Sequence, residues 1–268
     1  MGRSYSAFFT AVFLAALMAP PVWAQTGEID TIRARFHEKV GKDLAAIKDM
    51  AAVEDIATRL PAGKTLRQRV KIFYSGPRVR YEVEAALPNG EILRFLTIHT
   101  EDKAWTITPT GKKAEVDPGA HGSVRPDPIV QYIQLSLGPY SRILSRETFE
   151  GKPAVVVDNA MGQTIWLEEE SMIPLKMVAL NEIGSRGEWI FHNFKRISQV
   201  ADIPHQVKFT ADGAVFHHSV VLLVLNAGLE DSLFDPDIHT DTKPSAPAST
   251  APASKAPALP LPLPPVGR

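Results

Sequence analysis

The 268-residue chain contains no cysteine, so no disulfide staples its fold. It also lacks an excess of either charge: 29 lysines and arginines stand against 30 aspartates and glutamates. A near-neutral surface carries no electrostatic footprint for nucleic acid, and no nucleic-acid partner is expected. Membrane-length apolar runs are missing too. Ala7 to Met18 gives about a dozen residues where a spanning helix needs roughly 20, and Val220 to Leu225 is shorter still. The sequence has no G-x-S-x-G elbow, H-E-x-x-H, P-loop or glycine-rich dinucleotide loop. A non-enzymatic protein without cofactor or metal is therefore the expectation.

The N-terminus holds a positive signal of destination. Arg3, the short apolar run, Pro20-Pro21 and Val22-Trp23-Ala24 before Gln25 form the layout of a cleaved secretory signal spanning residues 1–24. Removing it takes away Arg3 and moves the formal charge from −1 to −2. Gln25 stands where a cysteine would mark lipid anchoring, so a soluble, periplasmic chain is expected.

The opposite end is different in kind. Residues 240–268 read TDTKPSAPASTAPASKAPALPLPLPPVGR, with eight prolines between Pro244 and Pro265. This composition cannot bury enough apolar surface to offset its ordering entropy, and a disordered tail is expected. Its proline alternation also suits a polyproline ligand, which makes an envelope protein partner a second possibility. One domain, residues 25–239, lies between.

Within that domain, Ile29, Ile32, Phe36, Val40, Leu44, Ile47 and Met50 recur every three or four residues. This spacing predicts a helix over Glu28–Met50, with a kink at Gly41. After Pro61-Ala62-Gly63 the period falls to two: Val79, Tyr81, Val83 and Ala85 alternate with Arg78, Arg80, Glu82 and Glu84. Pro88-Asn89-Gly90 should turn Arg78–Ala86 back onto Glu91–Ile98, and Ala104–Thr108 should follow as a strand. Ala51–Leu60 fits either helix or strand. Asp127 as cap, Pro128 at the first position and Gly138 as stop predict a second helix bearing Ile129, Val130, Ile133 and Leu137. Strands are then expected at Ala154–Asp158, Thr164–Glu168, Leu175–Asn181, Glu188–Ile197, Val207–Thr210 and Val215–Asn226, punctuated by Pro204 among others. The fold class that follows is α+β, mainly β: a curved antiparallel half-barrel covered by the N-terminal helix and a short mid-chain helix.

Two stretches, YSGPRVRYEVEAALPNGE and TEDKAWTITP, resemble the core of the LolA-like periplasmic lipoprotein carriers, through Pro77, Tyr81, Pro88, Glu101–Lys103 and Trp105. TIWLEEESMIPLKMVALNEIGSRGEWIFHNFKRI is similar to that family's paired strands. Leu229–Asp237 (LEDSLFDPD) resembles the closing segment of its outer-membrane lipoprotein-sorting members. The resemblance implies an apolar cavity for acyl chains beneath a helical lid, with a lipid or acylated protein as ligand. One departure stands out: the family's carrier has a lid-holding arginine directly before the proline, and here that position is Gly76. A sensor or adaptor on the same fold, signalling to a partner, is the alternative reading.

On this basis the expected cavity residues are Val79, Tyr81, Val83, Trp105, Ile107, Trp166, Trp189, Phe191 and Phe209, and the expected lid residues Ile129, Ile133 and Leu137. Val79, Tyr81 and Val83 should face inward together with Trp105. His217 and His218 are adjacent and point to opposite faces, so a zinc site with His205 or His192 is not expected. Glu168-Glu169-Glu170 reads as a solvated turn, as do Asp235 and Asp237 around Pro236.

Overall fold

The alternating sequence folds as two meanders. The first comprises β1 (Asp49–Arg59), β2 (Thr65–Ser75), β3 (Arg78–Ala86), β4 (Ile92–His99), β5 (Ala104–Ile107) and β6 (Lys113–Val116). The second comprises β7 (Arg142–Phe149), β8 (Lys152–Asp158), β9 (Gln163–Glu168), β10 (Pro174–Leu180), β11 (Arg186–Ile197), β12 (Ala201–Ala211) and β13 (Ala214–Leu225). The structure, a computed structural model, describes residues 22–61, 63–87, 90–108, 110–116, 127–180 and 186–238. The signal residues before Val22, the Pro88-Asn89 turn, residues 181–185 between β10 and β11 and the tail from Thr240 lie outside the described residues.

The meanders join where β1 pairs with β13, giving one 13-stranded antiparallel sheet in the order β6-β5-β4-β3-β2-β1-β13-β12-β11-β10-β9-β8-β7. A sheet this wide curls, and because it ends at β6 and β7 it stays an open half-barrel. The expected fold class is the observed one.

The helices cover the inner face. Helix α1 (Val22–Phe36) runs through a π-helical turn (His37–Gly41) into α2 (Lys42–Ala45). The predicted kink at Gly41 is this π-turn. Ile29, Ile32, Phe36, Val40 and Leu44 are buried in the core, as their spacing requires. The helix ends earlier than its apolar period suggests, and Asn226 shows why. Its side-chain amide donates to the Ala46 carbonyl at 3.2 Å and its carbonyl accepts from the Lys48 N–H at 2.8 Å, so the chain is released into β1. Met50 therefore belongs to a strand. The helical layer is tied down at its rim: Arg33 donates to the Pro139 carbonyl at 2.9 Å, and Arg146 and Arg196 pair with Glu28 and Asp43, each at 2.6 Å.

β6 and β7 are the two outer strands, and among the described residues the chain that leads into β7 crosses the sheet. This crossing carries helix α3 (Pro128–Ile133) over the inner face. It stops at Gln134, well before Gly138, but its start is as predicted: Asp127 Oδ1 accepts from the N–H groups of Ile129 and Val130 at 2.8 and 3.3 Å. Pro128, Ile129, Val130, Tyr132 and Ile133 are all buried.

Three strands carry too weak a pattern to read in advance. β7 is polar and largely exposed at the sheet edge, β6 is short, and β2 reads as charged because Arg67, Arg69 and Lys71 fill its outer face. Pro204, expected as punctuation, lies inside β12. It fits because β12 pairs with β13 only from Gln206 to Ala211, so the stretch before it has one free side, where a missing N–H costs nothing. Among the described residues no helix is long and apolar enough to cross a membrane.

Candidate functional site

The register decides which side chains share the inner face. Glu54 lies beside Val70, Val70 beside Val83, and Val83 beside Phe95. Two residues further along β1, Ile56 lies beside His218 of β13, which in turn neighbours Val207 and, through it, Phe191. Trp189 and Phe209 face each other across β11 and β12, with ring centroids 4.6 Å apart, and Phe209 continues to Phe216 at 5.4 Å. Tyr132 of α3 drops onto Phe191 and Phe194 at 5.3 and 5.9 Å.

Val79, Tyr81, Val83, Trp189, Phe191 and Phe209 accordingly belong to the inner face, beneath Ile129 and Ile133, with Leu137 packed at its margin. The other three expected cavity residues do not. Trp105 pairs with Ile98, which pairs with Arg80, and Ile107 pairs with Leu96, which pairs with Glu82. Both thus lie on the outer face, opposite Tyr81. That face is nevertheless dry, because the 3-10 turn Asp231–Phe234 covers it: Arg80 donates to the Leu233 carbonyl at 3.1 Å and the Arg78 guanidinium stacks 4.8 Å from the Phe234 ring. Trp166 pairs with Lys176 on the outer face, under the Lys176 ammonium at 4.8 Å, and its indole donates to Glu147.

The inner face changes character along its length. Met50, Ile72 and Tyr74 are buried beneath the helices. Ile56, Val83, Phe95 and Phe216, further along the same face, are only half-buried. The apolar lining thus runs from a closed end to a more open one. Ile56, Phe95 and Phe216 were not among the expected residues, although each sits at an alternate, inward position of its strand.

Packing at the β11 end is tight. A Cβ added to Gly187 would stand 2.6 Å from the Trp189 ring and 3.1 Å from that of Phe209. Gly187→Ala is expected to destabilise by about 1–3 kcal/mol, read from urea denaturation, because two stacked aromatics must shift together. Unchanged stability would mean that the pair is loosely held.

Between the closed and open ends lies a polar cluster that no sequence motif announced. Glu54 of β1, Asp127 at the start of α3 and His218 of β13 are all buried, and one ligand-type atom of each lies within 4.8 Å of the others. His218 Nδ1 stands 2.9 Å from Glu54 Oε2. Glu54 Oε1 receives no hydrogen bond. Tyr81 borders the group, its hydroxyl oxygen accepting from the Asp127 N–H at 3.3 Å. Burial pushes the Glu54 carboxyl up to about 8, opposed only in part by Asp127. Burial, and then the Glu54 charge, raises Asp127 well above the usual carboxylate range, while the His218 charge and two backbone N–H groups pull it down. Burial lowers His218, and Asp127 raises it.

The signal was present but unread: in Met50-x-Ala52-x-Glu54-x-Ile56 a glutamate occupies an inward position of an apolar alternation. The other histidines do not gather. His217 is exposed, His205 holds the Ile203 carbonyl at 3.1 Å, and His192 faces Glu150 at 3.6 Å. A cleft of about 470 Å³ opens on the outer face between Asp55, Arg67, Arg69, Glu84 and His217. It is lined by paired surface charges such as Arg69–Asp55 at 2.8 Å. Gly76 is exposed in the β2–β3 turn with φ +61°, so nothing at that position reaches the helices.

The sequence matches no protein-family model. Nor does it match any curated protein. Solved structures do match. An outer membrane lipoprotein-sorting protein domain from Vibrio parahaemolyticus is 17% identical, with TM-score 0.55, over 78% of this chain and 97% of that one. A DUF1329 family protein from Desulfovibrio piger is 12% identical, with TM-score 0.57, over 82% and 99%. A LolA superfamily protein from Nitrosomonas europaea is 14% identical, with TM-score 0.53, over 78% and 98%. The fold is that of the LolA-like half-barrels.

Proposed function

We propose that this chain is an exported, periplasmic, non-enzymatic carrier that binds the acyl chains of lipids or lipoproteins along the inner face of its half-barrel. The observation that carries the reading is the graded inner face. Apolar side chains line the face on both sides of the Glu54 cluster, from a buried core to the half-buried Ile56, Val83, Phe95 and Phe216, with the short helix α3 laid across it. An acyl chain gains roughly 0.8 kcal/mol for each CH₂ buried against such a surface. Val79, Tyr81, Trp189, Phe191 and Phe209 form the deep wall, and Ile129, Ile133 and Leu137 the lid. The LolA-like fold, shared with a lipoprotein-sorting domain, and the signal layout at the N-terminus support the same reading.

Val83→Phe tests it. The added ring projects into the half-buried part of the face, where it fills space that a ligand needs. Wild-type protein is expected to bind a fluorescent fatty-acid probe, and the variant to lose that binding tenfold or more while its melting temperature holds. Absence of probe binding by the wild type, together with a loss of stability in the variant of about 1–3 kcal/mol, would mean a solid core and would end the carrier reading.

A further inference from the structure

We propose that Glu54, Asp127 and His218 form a binding site for one divalent transition-metal ion of the zinc type, which clamps the start of helix α3 to β1 and β13. This inference stands apart from acyl binding, since it requires only these three side chains.

The first ground is geometry. One oxygen of each carboxyl and one imidazole nitrogen lie within 4.8 Å of one another, and the closest pair is 2.9 Å apart. Ligand atoms around a tetrahedral zinc ion, each about 2.0–2.1 Å from it, stand about 3.4 Å from one another. The separations here, from 2.9 Å to at most 4.8 Å, bracket that spacing. The second ground is charge. Two carboxyl groups are buried together, and among the described residues no lysine or arginine bonds to either one. Buried charges need a partner or a neutralising ion, and one divalent cation balances two carboxylates with a neutral imidazole.

The third ground is an unmet bond. Glu54 is fully buried with its Oε2 2.9 Å from His218 Nδ1, yet its Oε1 has no hydrogen-bond partner. A cation supplies what the protein does not. The donor set then selects the metal. One imidazole nitrogen with carboxylate oxygens suits zinc and its first-row neighbours better than calcium or magnesium, which take oxygen alone. Three protein ligands leave a fourth position for water.

The consequence is structural. β1 and β13 are neighbours in the sheet, whereas Asp127 belongs to the crossing segment. A shared ion therefore joins sheet to lid.

The test uses the full mature chain, stripped with EDTA, dialysed and titrated calorimetrically with Zn²⁺ alone. One equivalent is expected to bind. Glu54→Gln and His218→Ala are expected to weaken it at least 100-fold, whereas His217→Ala, altering the exposed neighbour, leaves it unchanged. Should either ligand variant fail to fold, X-ray absorption on the zinc-loaded wild type decides: the first shell should hold oxygen and nitrogen with a single imidazole. Absence of zinc binding at micromolar concentration would show that the carboxyls share a proton only, and would overturn the site. So would binding that survives both variants, or a shell with two or more imidazoles.

Discussion

Tyr132→Ala is expected to cost about 3–5 kcal/mol of stability, which in a domain of this size lowers the melting temperature by roughly 6–20 °C. Tyr132 is fully buried, the largest such side chain among the described residues. It is the knob by which α3 engages the sheet, with its ring 5.3 Å from Phe191 and 5.9 Å from Phe194. Truncation leaves a cavity between helix and sheet that a six-residue helix cannot collapse to fill. The hydroxyl contributes nothing to this loss, for it has no hydrogen-bond partner. Tyr132→Phe is therefore expected to match or exceed wild-type stability, since it removes a buried polar group whose lack of a partner costs about 1–3 kcal/mol. Chemical denaturation of both variants checks the pair. A stable Tyr132→Ala, or a strongly destabilised Tyr132→Phe, would mean that α3 is held by something other than this ring.

The second large effect concerns the outer face. Phe234 is buried in a short 3-10 turn far from the helices, and Ile98 and Ile107 are buried on the face that this turn covers. Together they form a small second core outside the main one. Phe234→Ala is expected to cost about 3–5 kcal/mol and to expose β3 to β5 first. Hydrogen exchange should then speed up at Ile98 and Trp105 before it does at Ile72 or Met50. Uniform exchange across the sheet would show instead that the turn and the main core unfold as one unit.

This second core explains where the sequence could and could not be read. The stripe from Ile29 to Leu44 was legible because a helix has one dry side and a single period reports it. The paired strands around Tyr81 and Trp189 were legible for the same reason. Trp105, Ile107 and Trp166 were not. An aromatic residue in a strand announces burial without saying on which face, and the face follows from a chain of pairings, such as Trp105 to Ile98 to Arg80, that crosses several strands. Once a distant turn dries the outer face, both faces hold apolar residues and alternation alone loses its meaning.

The Glu54 cluster failed to show for a different reason. Its members come from β1, from the crossing segment and from β13, separated by most of the chain. Only the pairing of β1 with β13 and the passage of α3 over the sheet bring them together. No spacing rule covers such a meeting. A lone glutamate at an inward strand position was the one available clue, and the ambiguity of Ala51–Leu60 hid it.

Native mass spectrometry of the protein purified from its own envelope tests the carrier reading most directly. The account predicts a species heavier than the mature polypeptide by the mass of an acylated ligand, released on organic extraction and identified as fatty acyl lipid. A single species at the polypeptide mass, from protein that also fails to take up a fluorescent fatty acid, would contradict it.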